Sequence, residues 1–255
     1  MKLTFLGTGT SQGVPVITCK CNVCTSSDPR DKRLRSSALL TTNTGANILF
    51  DIGPDFRQQM LTHNIRHLDA ILITHAHRDH VAGIDDIRAY NYTQNEPLNL
   101  YANNEAAETL RRDYHYIFSP HKYPGLPEAN LHIINNLHPF IAAGETIIPI
   151  AAMHKDLPIL GYRIGDFAYI TDANHISQKE MAKLIGLKIL VINALRIERH
   201  WSHYCLNEAL QIIHQISPER AYLTHISHEM GLHSEISNIL DSSTFLAQDN
   251  LSIEL

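Results

Sequence analysis

The sequence predicts an α/β (α+β) fold in which two β-sheets pack face to face and helices cover their outer surfaces. Short apolar segments occur several in a row and are separated by single longer segments of mixed polarity, a pattern typical of such layered folds. The chain has 255 residues, 44% of them hydrophobic, which is enough to bury a substantial core. No linker, repeat or low-complexity stretch divides it, so we expect one domain spanning residues 1–255.

The individual elements follow from apolar runs that are bounded by turn residues. The predicted strands, in order, are Leu3–Leu6, Ser37–Thr41, Asn47–Asp51, Ala70–Thr74, Leu98–Tyr101, His132–Ile134, Thr146–Ala151, Leu160–Ile164, Phe167–Thr171, Ile189–Asn193 and Arg220–Thr224. The predicted helices are Pro54–His63, Asn104–Arg112, Ser177–Leu184, Asn207–Gln215 and a last helix after Met230. Pro54 suits a first helical position and Ser177 suits an N-cap. From Tyr114 to Asn130 there is little periodicity, which is typical either of a functional lid or oligomer contact or of a plain surface loop.

Charge and hydropathy exclude several classes of protein. The net charge is −5 and the pI is near 6.4, which argues against a broad nucleic-acid surface. A local basic run is either a solvated loop or an anion-steering patch; its members are Arg30, Lys32, Arg33 and Arg35. No apolar run is long enough for a transmembrane helix, and the glycine-punctuated start of the chain does not resemble a signal peptide. We therefore expect a cytoplasmic protein.

The segment His75-Ala76-His77-Arg78-Asp79-His80 places three imidazoles and a carboxylate directly after a predicted buried strand. Two histidines that flank one residue can bind one metal ion, and the Asp-His pair that follows indicates a second. A solvated polar turn with surplus histidines is the alternative. The end of a buried strand is where α/β proteins place their chemistry, which favours a metal site.

Three further polar residues each end an apolar run: His154, Asp172 and His225. A polar group at the end of a buried strand is costly unless it is paired or ligated. One such histidine would more often be a hydrogen-bonded core residue. Three of them, added to the histidine motif, favour metal ligation.

The chain has four cysteines, and three of them fall within six residues as Cys19, Cys21 and Cys24. In a cytosolic protein such a cluster is more typical of metal binding than of disulfides. Cys205 stands alone and is interpreted as a small core hydrophobe.

Taken together these motifs resemble the metallo-β-lactamase fold superfamily, and the resemblance covers the whole chain. It is carried by Gly7-Thr8-Gly9-Thr10, Asp51-Ile52-Gly53, the histidine motif, His154, Asp172 and His225. The resemblance implies a four-layered αβ/βα sandwich with the site at one edge of its sheets. It also implies one metal held by His75, His77 and His154, a second held by Asp79, His80 and His225, and Asp172 bridging both. Asp51 resembles a carboxylate that orients a ligand without binding the metal itself.

Four segments resemble, more narrowly, the PhnP family of phosphoribosyl cyclic phosphodiesterases. They are Ser11-Gln12-Gly13-Val14-Pro15, the three-cysteine cluster, Ser202-His203-Tyr204-Cys205-Leu206-Asn207 and Thr224-His225-Ile226-Ser227-His228. The resemblance implies a structural zinc bound by Cys19, Cys21, Cys24 and His228, a Cys₃His set that closes a tetrahedral site. It implies catalytic roles for Asp79 and for His203 as the proton donor, with His200 as the rival. Histidines outside these motifs are interpreted as surface or core residues, with His121 as the strongest exception.

The expected cofactors are two catalytic divalent metals, zinc or manganese, and one structural zinc. Such a binuclear site can activate water at neutral pH and neutralise charge on a phosphoryl group, so we expect hydrolysis of small cyclic phosphodiesters. Three alternatives remain open: an RNase Z-like tRNA 3′-processing nuclease, a protein like the B protein of pyrroloquinoline quinone synthesis, and a non-catalytic metal-binding scaffold. We expect a small phosphodiester as partner, with neither nucleic acid nor membrane, and leave a homodimer open.

Overall fold

The protein, a computed structural model, is described over residues 1–119 and 124–255, and these ranges contain two seven-stranded sheets. The first half of the chain supplies most of the first sheet. Its strands are β1 (Lys2–Gly7), β2 (Ser37–Thr41), β3 (Asn47–Phe50), β4 (Ala70–Leu72), β5 (Leu98–Ala102) and β6 (Ala129–Ile133). Its helices are α1 (Asn22–Thr25), α2 (Phe56–Thr62), α3 (Arg78–Val81), α4 (Arg88–Gln94), α5 (Asn104–Asp113) and α6 (His115–Phe118).

The second half of the chain supplies the second sheet and one edge strand of the first. Its strands are β7 (Phe140–Ala142), β8 (Glu145–His154), β9 (Leu157–Ile164), β10 (Phe167–Ile170), β11 (Ile189–Asn193), β12 (Arg220–Thr224), β13 (Thr244–Leu246) and β14 (Ser252–Glu254). Its helices are α7 (Gln178–Ala182), α8 (Leu206–Ile216) and α9 (His233–Ser237). Short 3₁₀ turns lie at Pro29–Asp31, Ile84–Ile87 and His228–Met230.

The strand order brings functional strand ends to one edge of each sheet. The first sheet runs β14-β1-β2-β3-β4-β5-β6 and the second runs β13-β12-β11-β10-β9-β8-β7. Strands β3 to β6 are parallel, and so are β10 to β13. The first and last strands pair antiparallel, and the backbone N–H of Leu255 donates to the carbonyl of Met1 at 3.0 Å. Both chain ends therefore lie beside the start of β1, and the loop at Gly9 follows the other end of that strand.

Apolar side chains fill three layers between and around the sheets. The inner faces of the two sheets meet in one cluster, in which the Phe50 and Tyr169 rings stack with centroids 4.8 Å apart. A second cluster packs the outer face of the first sheet against its helices through residues such as Phe56 and Leu110. A third packs the second sheet against α7, α8 and α9. The layers are thus helix, sheet, sheet and helix, which confirms the predicted αβ/βα sandwich.

Several predicted boundaries shift. Helix α2 begins at Phe56, because Asp55 is its N-cap and Pro54 lies in the preceding turn. Ser177 is the N-cap of α7, as predicted, and its hydroxyl accepts from the backbone N–H of Glu180 at 3.4 Å.

The aperiodic stretch from Tyr114 contains α6 and leads into β6. His121, singled out in the sequence, lies outside the described residues. Among the residues that are described, no helix has the length and apolar character needed to cross a membrane.

Candidate metal centre

The predicted ligands lie at or just after the ends of strands. His154 is the last residue of β8, His225 directly follows β12, and Asp172 lies two residues after β10. Asp51, Asp172 and His225 adopt left-handed backbone conformations, with φ of +60°, +61° and +55°. Such conformations are strained for residues other than glycine and are concentrated at functional sites. They turn the chain sharply where each side chain enters the centre.

One compact group contains Asp79, His80, Asp172 and His225, whose ligand atoms all lie within 4.8 Å of one another. His80 Nε2 is 3.2 Å from Asp79 Oδ2 and 3.3 Å from Asp172 Oδ2. His225 Nδ1 is 3.1 Å from Asp172 Oδ2. The structure therefore brings together the residues that the sequence assigned to one metal.

The remaining predicted ligands surround the other side of Asp172. The His75 and His77 rings have centroids 4.6 Å apart, and the His154 ring lies 5.6 and 5.1 Å from them. On this side the ligand atoms of His154, Asp172 and His203 lie within 4.8 Å of one another, a group that includes neither His75 nor His77. Asp172 thus belongs to both groups, the position that the resemblance implies for a bridging carboxylate.

Two buried imidazole nitrogens indicate that this donor set fits metal ions. Nε2 of His75 is buried and has no hydrogen-bond partner, and the buried Nε2 of His80 is directed at the carboxylates of Asp79 and Asp172, 3.2 and 3.3 Å away. The opposite nitrogens are both engaged, because His75 Nδ1 lies 3.0 Å from Thr74 Oγ1 and His80 Nδ1 lies 2.7 Å from Asp51 Oδ2. An unpartnered buried nitrogen is costly, and a divalent ion would satisfy it. A mixed set of imidazoles and carboxylates suits zinc or manganese.

Asp51 holds His80 in place from behind. The Asp51 carboxylate is fully buried and accepts hydrogen bonds from the Thr74 backbone N–H at 2.8 Å and from the Thr74 hydroxyl at 2.9 Å. Its contact with His80 Nδ1 leaves Nε2 directed at the centre. The sequence alone predicts no role for Thr74, although this residue directly precedes His75 of the motif.

The electrostatics of the centre favour neutral imidazoles at two positions. Burial lowers the pKa of His75 well below its usual value and lowers that of His225 to about 4. Burial also opposes the charged form of His80, but Asp79, Asp172 and Asp51 outweigh it and raise the pKa of His80 well above its usual value. A cation bound beside these carboxylates would therefore displace the His80 proton.

His203 reaches the centre, whereas His200 lies one step behind it. His203 Nε2 is 3.0 Å from Asp172 Oδ1, and its other nitrogen is 3.2 Å from His200 Nδ1. The backbone carbonyl of Ser202 accepts from His154 Nδ1 at 2.9 Å, which ties the His203 loop to a predicted ligand. Of the two rival histidines, His203 is the one that contacts the metal-site carboxylate.

The three cysteines and His228 form a separate cluster, and all four cysteines in the described part of the chain are free thiols. His228 Nδ1 lies 3.4 Å from Cys19 Sγ and 3.3 Å from Cys21 Sγ. The backbone N–H of Cys24, together with His228, lowers the pKa of the Cys21 thiol to about 6, whereas burial raises that of Cys24 to about 11. Three sulfurs and one imidazole fit a closed tetrahedral zinc site. Cys205 is buried elsewhere, at the N-cap of α8, as predicted for a core residue.

Comparisons with known proteins identify the family. Residues 46–226 match the family model described as the β-lactamase superfamily domain. The crystal structure of a new diphosphatase from the PhnP family has a TM-score of 0.92 and 37% identity to this chain. That match covers 99% of this chain and 96% of the other.

Two further similarities are more restricted. An octanoyltransferase of Porphyromonas gingivalis is 41% identical over 252 residues, or 98% of this chain, but the chain spans only 51% of that relative. The Zn²⁺-bound PqqB of Methylobacterium extorquens shares the fold, with a TM-score of 0.82, 18% identity and full coverage of both chains. In agreement with the resemblance seen in its motifs, the chain belongs to the β-lactamase superfamily and, within it, to the PhnP family.

Proposed function

We propose that this chain is a metal-dependent phosphodiesterase that hydrolyses small cyclic phosphodiesters. The observation that carries the proposal is the position of His203, whose Nε2 lies 3.0 Å from the shared carboxylate of Asp172. A proton donor at this distance can reach a leaving group on a phosphoryl centre held between the two ligand groups. The PhnP-family structure that this chain resembles is that of a diphosphatase, which supports hydrolysis at phosphorus and leaves the choice of a cyclic diester to experiment.

Two divalent ions would be held by the predicted ligands, one by His75, His77 and His154, the other by Asp79, His80 and His225, with Asp172 shared. Such ions supply Lewis-acid activation of water and neutralise charge on phosphoryl oxygens. Cys19, Cys21, Cys24 and His228 would hold a structural zinc beside the loop of the ligand His225. That zinc would fix the segment from which His225 enters the centre.

The side chains have distinct parts in the reaction. His203 gives a proton to the alkoxide that leaves the phosphorus, since histidine exchanges protons readily near neutral pH. Asp51 keeps the His80 ring oriented, and the backbone carbonyls of Asp172 and Ser202 do the same for His154 at 2.8 and 2.9 Å. Because these partners are all buried, the centre is organised before substrate arrives.

The basic run near the N-terminus supports a small substrate over a long polyanion. Each of its side chains is engaged by the protein itself. The partners are Asp28 for Arg30, the Cys24 carbonyl for Lys32, Thr8 and the Ala247 carbonyl for Arg33, and Asp55 for Arg35. Arg33 is buried, so the run is neither a fully solvated loop nor a free anion-steering patch. With a net charge of −5, little remains to hold a tRNA, which counts against the nuclease alternative.

The other names among the relatives are weaker guides. The octanoyltransferase is about twice as long as this chain. None of the four cysteines of this chain is placed to act as the nucleophile of an acyl transfer. Three of them lie in the proposed zinc cluster and Cys205 is only 2% exposed. The similarity to PqqB concerns the fold, so a role like that of PqqB stays an alternative for experiment.

The test is hydrolysis by the zinc- and manganese-loaded protein. The substrates are ribose cyclic phosphates, 2′,3′-cyclic nucleotides, bis(p-nitrophenyl) phosphate, precursor tRNA and a β-lactam. We expect turnover of the cyclic phosphates. Efficient cleavage of precursor tRNA with no turnover of any cyclic phosphate would instead support the nuclease alternative.

A variant series tests the proton donor. His203→Ala should slow a substrate with an alkoxide leaving group by roughly 100- to 10,000-fold, the usual size of general acid catalysis. p-Nitrophenolate needs little protonation, so bis(p-nitrophenyl) phosphate should suffer far less. His214→Ala, at an exposed histidine of α8, is the matched control and should preserve most activity on both. Equal losses on both substrates, or loss of bound metal in His203→Ala, would remove His203 from the general-acid role.

A further inference from the structure

Trp201 is the single tryptophan of the chain and lies in the loop between β11 and α8 that also carries His203. Its side chain is 67% exposed, whereas the neighbouring Ser202 and Tyr204 are buried. A lone exposed aromatic residue is ordinary on a protein surface. Its significance here depends on where the indole lies relative to the metal centre.

A run of four rings leads outward from the centre to the indole. The His154 and His203 rings have centroids 4.5 Å apart, His203 and His200 are 5.2 Å apart, and His200 and Trp201 are 5.4 Å apart. The indole therefore borders the side of the centre on which the proton donor lies. The substrate oxygen that accepts its proton from His203 would lie on this side.

The surroundings of the indole are held by the same turns that present the ligands. Asn174, two residues after Asp172, donates from its side-chain amide to the Trp201 carbonyl at 3.1 Å and accepts from the Lys155 N–H at 3.0 Å. Lys155 directly follows His154, and its ammonium lies 4.8 Å from the indole centroid. The Lys155 ammonium thus lies over one face of the exposed indole at the rim of the centre.

We propose that Trp201 is a stacking platform for the base of a cyclic nucleotide, in which water displaces one ribose oxygen from phosphorus, His203 protonates that oxygen, and the nucleoside stays attached through the second ester bond. The inference rests on the proposed function and narrows it, because the preferred cyclic phosphodiester would then be a 2′,3′-cyclic nucleotide. Any nucleobase can stack on an exposed aromatic side chain, because stacking uses the flat face of the base and not its hydrogen-bonding edge. The phosphoryl group lies at the metal ligands, the sugar at the proton donor, and the base on the indole.

Binding can be followed without a label, because Trp201 accounts for all tryptophan emission. The metal-loaded protein is titrated with AMP and, separately, with ribose 5-phosphate, which differs by lacking the base. The indole is excited at the red edge of its absorption band, where adenine does not absorb. Quenching by AMP with little response to ribose 5-phosphate is expected. Equal responses to both compounds, or a response to neither, would overturn the platform.

The kinetic test compares 2′,3′-cyclic AMP with base-free 1-O-methylribose 2,3-cyclic phosphate. Trp201→Leu should raise KM for the nucleotide roughly 5- to 100-fold, the range of base stacking on an aromatic residue, and leave kcat near wild type. The base-free substrate should be unaffected, and Trp201→Phe should retain most of the nucleotide affinity. An unchanged preference in Trp201→Leu would contradict the proposal.

A wrong function and a wrong stacking platform would give different experimental results. If the loaded wild-type protein hydrolyses no phosphodiester, bis(p-nitrophenyl) phosphate included, the proposed function is wrong and the fluorescence titration alone decides the platform. If it hydrolyses both substrates with equal KM and AMP does not quench its emission, the proposed phosphodiesterase activity is supported and the stacking platform is wrong.

Discussion

Replacing Asp51 with asparagine should weaken metal binding without removing any metal ligand. The carboxylate is fully buried and accepts from the Thr74 N–H, the Thr74 hydroxyl and His80 Nδ1 at 2.8, 2.9 and 2.7 Å. The amide oxygen of asparagine can keep the bonds to Thr74. Its NH₂ group would face the N–H of His80, so that one contact is lost and the ring is free to turn.

The size of the effect follows from this single lost contact. A hydrogen bond to a charged partner contributes about 1.5–3 kcal/mol to stability. Removal of a group that orients a metal ligand typically costs roughly 10- to 100-fold in metal affinity. We expect a loss of that size at the proposed binuclear site, with a fall in melting temperature of roughly 3–12 °C for a chain of this length.

Competition with a chromophoric chelator measures the affinity, and elemental analysis measures the content. Zinc at the cysteine cluster serves as an internal reference, because Asp51 does not contact it. Asp55→Asn is the matched control, since Asp55 pairs with Arg35 near the surface and contacts no predicted ligand. An Asp51→Asn protein with wild-type affinity at both catalytic ions would refute the proposed orienting role.

Three further predictions concern the metals and the effect of pH. Elemental analysis of protein purified without chelator should find three metal ions per chain, because the two ligand groups share only Asp172 and the cysteine cluster uses none of their donors. Cys21→Ser should lower zinc content and melting temperature, whereas Asp79→Ala should abolish turnover and keep most of the stability, as measured by thermal unfolding and assay. Burial lowers the pKa of His233 to about 4, with the nearby Arg33 contributing, and its Nδ1 lies 3.1 Å from an Arg33 nitrogen. The unfolded chain binds a proton there as pH falls below about 6.5, but the folded protein does not until about 4, so stability should fall across that window by about 3 kcal/mol. His233→Asn should remove this part of the pH dependence in denaturant titrations.

Contrary outcomes are equally specific. A stoichiometry at or below one ion in unstripped protein would contradict the three-metal prediction. Unchanged zinc and folding in Cys21→Ser would remove the structural-zinc interpretation. An acid limb of identical slope in wild type and His233→Asn would show that this imidazole is not the group responsible.

Most of the layered architecture was accessible from sequence because long buried runs keep their periodicity. The missed elements lack that signal. Strands Thr244–Leu246 and Ser252–Glu254 are three residues long, too short for alternation to be recognised. Helix Arg88–Gln94 buries only Tyr90 and therefore shows no amphipathic stripe.

Those site residues that come at the end of a buried strand could be predicted from the sequence. His154 and His225 could be found because a polar residue after a buried run needs a partner. Which partner it finds could not be read from the sequence, since the contact between His203 and Asp172 joins residues 31 positions apart. The basic run shows the same limit, because only the folded chain reveals that Arg33 is buried.

The pairing of the first and last strands has a practical consequence for building with this protein. Lys2 lies opposite Glu254 in the register of β1 and β14, at the sheet edge remote from the metal ligands. The chain could be closed there by a short linker and reopened at the exposed turn around Gly45, at which added atoms meet nothing within 4 Å. A circular permutant of this kind, or a protein tethered to a support at this edge, would keep the attachment point away from the candidate metal centre.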